Sequence, residues 1–182
     1  MKSTSPYSIK ELNNMVECFR GFQEKRVHNY RLKGHKDTEK KSTKTDKWDL
    51  PLTVCSCGSR INPFIAANGR NCSALKTPHN LISTAYNNIK DNYGKTIIGS
   101  IPLGTKPNNG IKKLLHLKGV DSFEAGRCAE PHAANSVLTQ IKKMSTSKVG
   151  ISDLVFSVAL DARYPIVKPY CVTCRCVFPQ LR

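Results

Sequence analysis

The chain has 182 residues, 39% of them hydrophobic, enough for a single core and one domain with an appendage. Lysine and arginine number 29 against 13 aspartate and glutamate, and the resulting +16 points to a polyanionic partner or an acidic binding protein. No run approaches the ~18 apolar residues of a membrane span, and the polar opening "MKSTSPYSIKELNNMVECF" lacks a secretory core, so the sequence predicts a chain that is cytoplasmic or delivered into a target cell, with no membrane contact.

In chain order, "SIKELNNMVECFRGFQEK" sets Leu12, Met15, Val16, Phe19 and Phe22 at spacings of three and four, with Ser8 and Glu11 placed for a capping box. A first amphipathic helix is expected there. The stretch "KGHKDTEKKSTKTDK" behind it is mixed in sign and reads as a solvated arm, which divides the chain into a basic N-terminal helix and flexible arm at 1–50 and a main domain at 51–182. Residues 51–182 carry +11 of the charge. "LPLTVCSCGSRINPFIAANGRNC" alternates short apolar runs with Gly, Ser and Asn, the pattern of one or two short strands joined by turns. "PHNLISTAYNNIKDNYG" reads as a helix closed by Gly94, "KTIIGSIPLG" as a strand and "TKPNNG" as a turn. A helix over 129–144, the apolar strand "LVFSVAL" at 154–160 and a short helix starting near Cys171 complete the order.

The helix after Cys128 follows from its residues. Ala129, Ala133, Val137 and Ile141 recur every four positions, with Ala134 and Leu138 beside them, while Gln140, Lys142 and Lys143 fall on other faces. Pro131 has no N–H to donate and belongs in a first turn, which places Cys128 and Glu130 at the helix N-terminus. That end carries the positive pole of the helix dipole and favours a thiolate, and Arg127 adds to the field.

The 8 cysteines are irregularly spaced and, without a signal peptide, read as reduced thiols, some of them bound to metal. A thiolate at one helix start and the Cys171-x-x-Cys174 pair at another can close on one ion, and zinc suits soft sulfur ligands. Three protein ligands leave a fourth position for water, which marks a catalytic site. Glu130 is then placed to shuttle protons. Cys176 is the alternative to Cys174 as a ligand, and His132, one helical turn from Cys128, either coordinates, supports the site from behind its ligands or is simply solvated. Cys55 and Cys57 near Cys72 offer no convincing second site, His28, His35, His79 and His116 have no partner in sequence, and Trp48 reads as a packing anchor.

Cys128-Ala129-Glu130 followed by Cys171-x-x-Cys174 resembles the signature of the zinc-dependent nucleoside and nucleic-acid deaminases. More narrowly, "GRCAEPHAANSVL", with an upstream "NGRN", the "PHNLISTAYNNI" helix and a terminal "PYCVTCRCVFPQLR", resembles the YwqJ-like deaminase family of toxin domains over roughly residues 60–182. The resemblance implies an α/β, cytidine deaminase-like three-layer fold, a mixed central sheet flanked by helices, with the two metal-binding helix starts side by side. It implies Zn2+ on Cys128, Cys171 and Cys174, Glu130 as the catalytic proton shuttle, and Asn71 and Ala129 at the substrate. Tyr170 separates Pro169 from Cys171 where many relatives have Pro-Cys directly. Eight residues follow Cys174 where the superfamily continues with another strand and helix, so the version expected here is shortened at its C-terminus. The edge of strand 154–160 then needs a cover, from "KTIIGSIPLG" or from the N-terminal region.

Three function classes follow: deamination of a base, cytosine ahead of adenine, in single-stranded DNA or RNA by a toxin or effector; the same chemistry on free nucleosides or nucleotides; and an inactive zinc-stabilised nucleic-acid-binding module. Glu130 speaks against the third, and the broad positive field speaks for the first over the second. The expected partners are nucleic acid and an acidic immunity protein, met by a monomer whose Lys112, Lys113, Lys118, Lys142, Lys143 and Arg175 line a groove beside the metal.

Overall fold

The computed structural model describes residues 8–32, 53–69, 75, 77–87, 126–144, 148–162 and 164–181. Helix α1 spans Ile9–Leu32, strands β1 and β2 span Thr53–Ser59 and Ile65–Gly69, and helices α2 and α3 span Asn80–Asn87 and Ala129–Met144. A 3-10 turn at Ile151–Asp153 leads into β3 (Leu154–Phe156), β4 (Ala159–Asp161) and β5 (Val167–Lys168), then helix α4 (Val172–Val177) and a last 3-10 turn at Pro179–Leu181.

The expected cap of α1 is present. Ser8 N–H donates to Glu11 Oε2 at 2.6 Å and Glu11 N–H to Ser8 Oγ at 3.2 Å. The buried stripe of α1, however, runs through Leu12, Val16 and Gln23, and Phe22 is 59% exposed. Gln23 lies eleven residues from Leu12, three turns on along one line, whereas Phe22 points about 100° away from it. Burying Leu12 and Val16 contributes roughly 1.5–3 kcal/mol each.

Strand β1 is the centre of the sheet, with β2 on one side and β3 and β4 on the other. Its side chains alternate: Cys55 and Cys57 enter the core under α3, while Val54 joins Val16 of α1 in a second cluster and Ser56 Oγ donates to the Leu12 carbonyl of α1 at 2.6 Å. Helices therefore cover both faces. Helix α1 packs directly on the strands of the cysteine-bearing region and shares a core with them. Every pairing among the described strands is antiparallel, so the mixed sheet implied by the resemblance is not seen among them. The reason is that β1 runs against all of its neighbours.

The run 154–160 does not form the single strand expected. Cys57 faces Phe156 and Val54 faces Leu160, so three steps along β1 match four along the other chain, a one-residue bulge at Ser157 and Val158. The bulge reverses the faces. Leu154 and Phe156 lie in the α3 core, while Leu160 and Ala162, of the same parity, lie in the α1 cluster.

Among the described residues, β5 and Gln180 meet the edge beyond this strand. β5 pairs with β4, and the amide Nε2 of Gln180 donates to the carbonyls of Ile151 at 2.9 Å and Leu154 at 3.0 Å. Because Arg60 N–H of the β1 side takes the Asp153 carbonyl, the Leu154 carbonyl points away from β1, and Gln180 satisfies it. Phe178 backs this contact with its ring 5.0 Å from that of Phe156. The segments "KTIIGSIPLG" and "TKPNNG", the closing Gly94 and the 33–52 arm with Trp48 lie outside the described residues.

Candidate metal centre

Two helix starts build the site. Before α3 the chain turns at Gly126, whose φ of 82° lies in the left-handed region that only glycine adopts freely. Cys128 follows as the last residue before the helix, and Ala129, Glu130 and Pro131 make its buried first turn. The buried face of α3 is the one predicted, with Ala133, Ala134, Val137, Leu138 and Ile141 turned inward and Gln140, Lys142 and Lys143 exposed.

The second start is α4. Cys171 is its N-cap, in extended conformation, and its sulfur accepts the N–H of Cys174 at 3.3 Å. Cys174 has no exposed surface. The Sγ atoms of Cys128 and Cys171 lie 3.5 Å apart, and those of Cys128, Cys171 and Cys174 all lie within 4.8 Å of one another. Three soft donors around one point fit zinc, and no fourth His, Cys, Asp or Glu among the described residues joins the set. Cys176 and His132 are not part of this cluster.

The electrostatics of the thiols follow from their contacts. Hydrogen bonding from Cys128 and Cys174, with the Cys174 N–H, holds the Cys171 thiol well below the ordinary range, while hydrogen bonding to Cys171 pushes Cys128 up and hydrogen bonding to Cys128 and then Cys171 pushes Cys174 up. Cys171 is the natural first thiolate. Glu130 is 3% exposed, and burial, followed by the charge of Cys171, pushes its carboxyl up to about 7. Its oxygens do not belong to the ligand set, so the carboxyl sits beside the sulfurs with a proton it can exchange near neutral pH.

The remaining expected residues divide. Ala129 is fully buried, so its side chain packs in the core, and what it offers the site is a first-turn N–H that the helix itself cannot pair. Asn71, Cys72, Lys112, Lys113 and Lys118 lie outside the described residues. Lys142 and Lys143 stand at the far end of α3, fourteen residues or about 21 Å from Cys128, and do not flank the sulfurs. Arg175 is exposed and follows Cys174 in α4.

The sequence reading gave three residues near the site no role in it. Tyr86 of α2 is buried in the core beside Cys174, Cys55 lies under the bulge with its sulfur 3.8 Å from the Ser157 carbonyl, and the Tyr170 hydroxyl donates to that same carbonyl. His79, without a partner in sequence, caps α2 through Leu81 N–H to Nδ1 at 3.3 Å, and its own N–H is held by Asn135 of α3 at 2.7 Å. No helix among the described residues is long and apolar enough to cross a membrane. No protein-family model, curated protein or solved structure matches the chain.

Proposed function

We propose that the protein is a zinc-dependent hydrolase that deaminates a nucleobase, cytosine ahead of adenine, within single-stranded nucleic acid. The observation that carries this reading is the convergence of Cys128, Cys171 and Cys174 within 4.8 Å, beside a buried Glu130 that is not one of the ligands. Zinc held by these sulfurs supplies a Lewis acid that lowers the pKa of water to about 7. Glu130 would take a proton from that water and pass it to the ring nitrogen beside the reacting carbon, then carry the second, from the new hydroxyl, to the departing amino group. Overall, water and the aminated base become the carbonyl base and ammonia, and the carboxyl returns to its starting state. A carboxyl pushed up to about 7 suits both transfers. The start of α3 also has the Ala129 N–H, which finds no partner within the helix, to hold a substrate oxygen.

The net charge of +16 supports a polyanion over a free nucleoside as substrate. A toxin or effector role, restrained by an acidic partner protein, fits the same charge and the resemblance in the motifs. A site that serves only to stabilise the fold has no need of a buried carboxyl beside three sulfurs, and this disfavours an inactive zinc module.

The test is incubation of the zinc-loaded protein with single-stranded DNA and RNA oligonucleotides, read by sequencing, alongside free cytidine and adenosine. Conversion within an oligonucleotide supports the reading. Conversion of free nucleosides alone would move the substrate to small molecules, and no conversion of any base would overturn the activity.

A further inference from the structure

The bulge at Ser157 and Val158 presents two main-chain groups that side chains, and not the β1 main chain, take up. On the α1 face, Val158 N–H donates to Asn13 Oδ1 at 3.0 Å. On the α3 face, the Ser157 carbonyl accepts the hydroxyl of Tyr170, whose ring is half-buried against the core that contains Cys174 and Ala129. Ser157 itself is held firmly. Its Oγ accepts the Ser56 N–H at 2.9 Å and donates to the Val158 carbonyl at 2.8 Å, and its N–H donates to the Ser56 carbonyl at 3.0 Å.

Tyr170 is the residue before Cys171, and the local structure around it is short. β5 has two residues and α4 six, and a six-residue helix is far below the length that is stable by itself in water. Cys171 is tied to that helix, its carbonyl accepting the Arg175 N–H at 3.0 Å and its sulfur the Cys174 N–H at 3.3 Å. These bonds hold Cys171 within its own turn, and a contact with the rest of the fold is needed to place that turn. The Tyr170 phenol fixes it from the sheet, through a carbonyl that is available because the bulge takes it out of the ladder.

We propose that Tyr170 is the positioning residue of the metal centre: its hydroxyl, tied to the bulge carbonyl of Ser157, sets the place of Cys171 Sγ relative to the sulfurs of Cys128 and Cys174. The proposal rests on the reading of the three cysteines as a zinc site. It gives the bulge a purpose beyond strand pairing, since an unbroken strand from 154 to 160 would spend that carbonyl on a neighbour. It also accounts for a tyrosine before the first cysteine of the pair. A proline at that place restricts the backbone locally, whereas Tyr170 restrains it through a tertiary contact.

The experiment compares the full-length protein with Tyr170→Phe, which removes only the hydroxyl. Zinc affinity is measured by competition with a chromogenic chelator, and the geometry of the sulfurs by the visible spectrum of the cobalt(II)-substituted protein. Tyr170→Phe is expected to bind one zinc per chain about 10- to 100-fold more weakly, the usual effect of losing a group that orients a ligand, and to shift the cobalt bands. Placing 4-aminophenylalanine at position 170, which keeps the ring and a donor, is expected to restore both. Wild-type affinity and an unchanged cobalt spectrum in Tyr170→Phe would overturn the proposal, even if the metal-free variant melts at a lower temperature, as would failure of the amino analogue to restore binding. Failure of the wild-type protein to bind zinc at all would instead remove the metal centre and this proposal with it.

Discussion

Cys128 and Cys171 stand 43 positions apart in the chain, yet their sulfurs lie 3.5 Å from each other. One belongs to the start of α3 and the other caps α4, so their approach measures how these two helix starts pack under one sheet. Two thiols so close, with a third inside 4.8 Å, repel once ionised unless a cation lies between them.

Replacing one sulfur should therefore remove the ion and the rigidity it brings. Cys171→Ser or Cys174→Ser is expected to weaken zinc binding by more than the ~10- to 100-fold that loss of an orienting group costs, and to lower the melting temperature of the zinc-loaded protein to near that of the metal-free one. Cys176→Ser is expected to keep about one zinc per chain. Mass spectrometry under native conditions reads both, and full zinc retention in Cys174→Ser would show the ligand set to be wrong.

A second expectation concerns the packing of α1 on the sheet. A Cβ built on Gly58 of β1 would lie 3.2 Å from both Leu12 Cδ2 and Ile65 Cγ2, tighter than side chains normally tolerate. Gly58→Ala is expected to cost about 1–3 kcal/mol by overpacking. Urea unfolding of the two proteins reads the difference, and an unchanged midpoint would mean that α1 is not seated on β1 as described.

The polymer substrate has its own signature. Binding of a single-stranded oligonucleotide should weaken steeply with salt, with a log–log slope of about −0.7 for each phosphate contacted. Arg175 is exposed and adjacent to Cys174 in the chain, and if it makes such a contact Arg175→Gln is expected to reduce the slope by about 0.7. Fluorescence anisotropy across a salt series measures it. A salt-independent affinity would argue for free nucleosides as substrates.

The parts of the molecule legible in the sequence were those fixed by local physics. The capping box of Ser8 and Glu11, the four-residue spacing from Ala129 to Ile141, and Pro131 in a first turn all depend on residues within a turn or two of one another. The Cys171 cap belongs to the same class, because Cys-x-x-Cys at a helix start brings a sulfur to the third N–H by chain geometry alone. The bulge was hidden, since seven apolar and small residues in a row carry no sign of the one-residue offset that only the register with β1 reveals. The role of Tyr170 was hidden for the same reason: its partner carbonyl exists because of that offset. Phe22 illustrates the opposite error, in which hydrophobic character suggested burial while helical phase put Gln23 on the inner line.

The most direct measurement of the account is made on Glu130→Gln, which keeps the shape of the buried side chain and removes its ability to carry a proton. Zinc content and base conversion in a single-stranded oligonucleotide are measured on the same preparation, against wild type. The account predicts about one zinc per chain in both proteins and conversion reduced by at least about 10²-fold in the variant, the lower range for loss of a general acid–base group. Conversion in Glu130→Gln equal to that of wild type, with zinc retained, would contradict it.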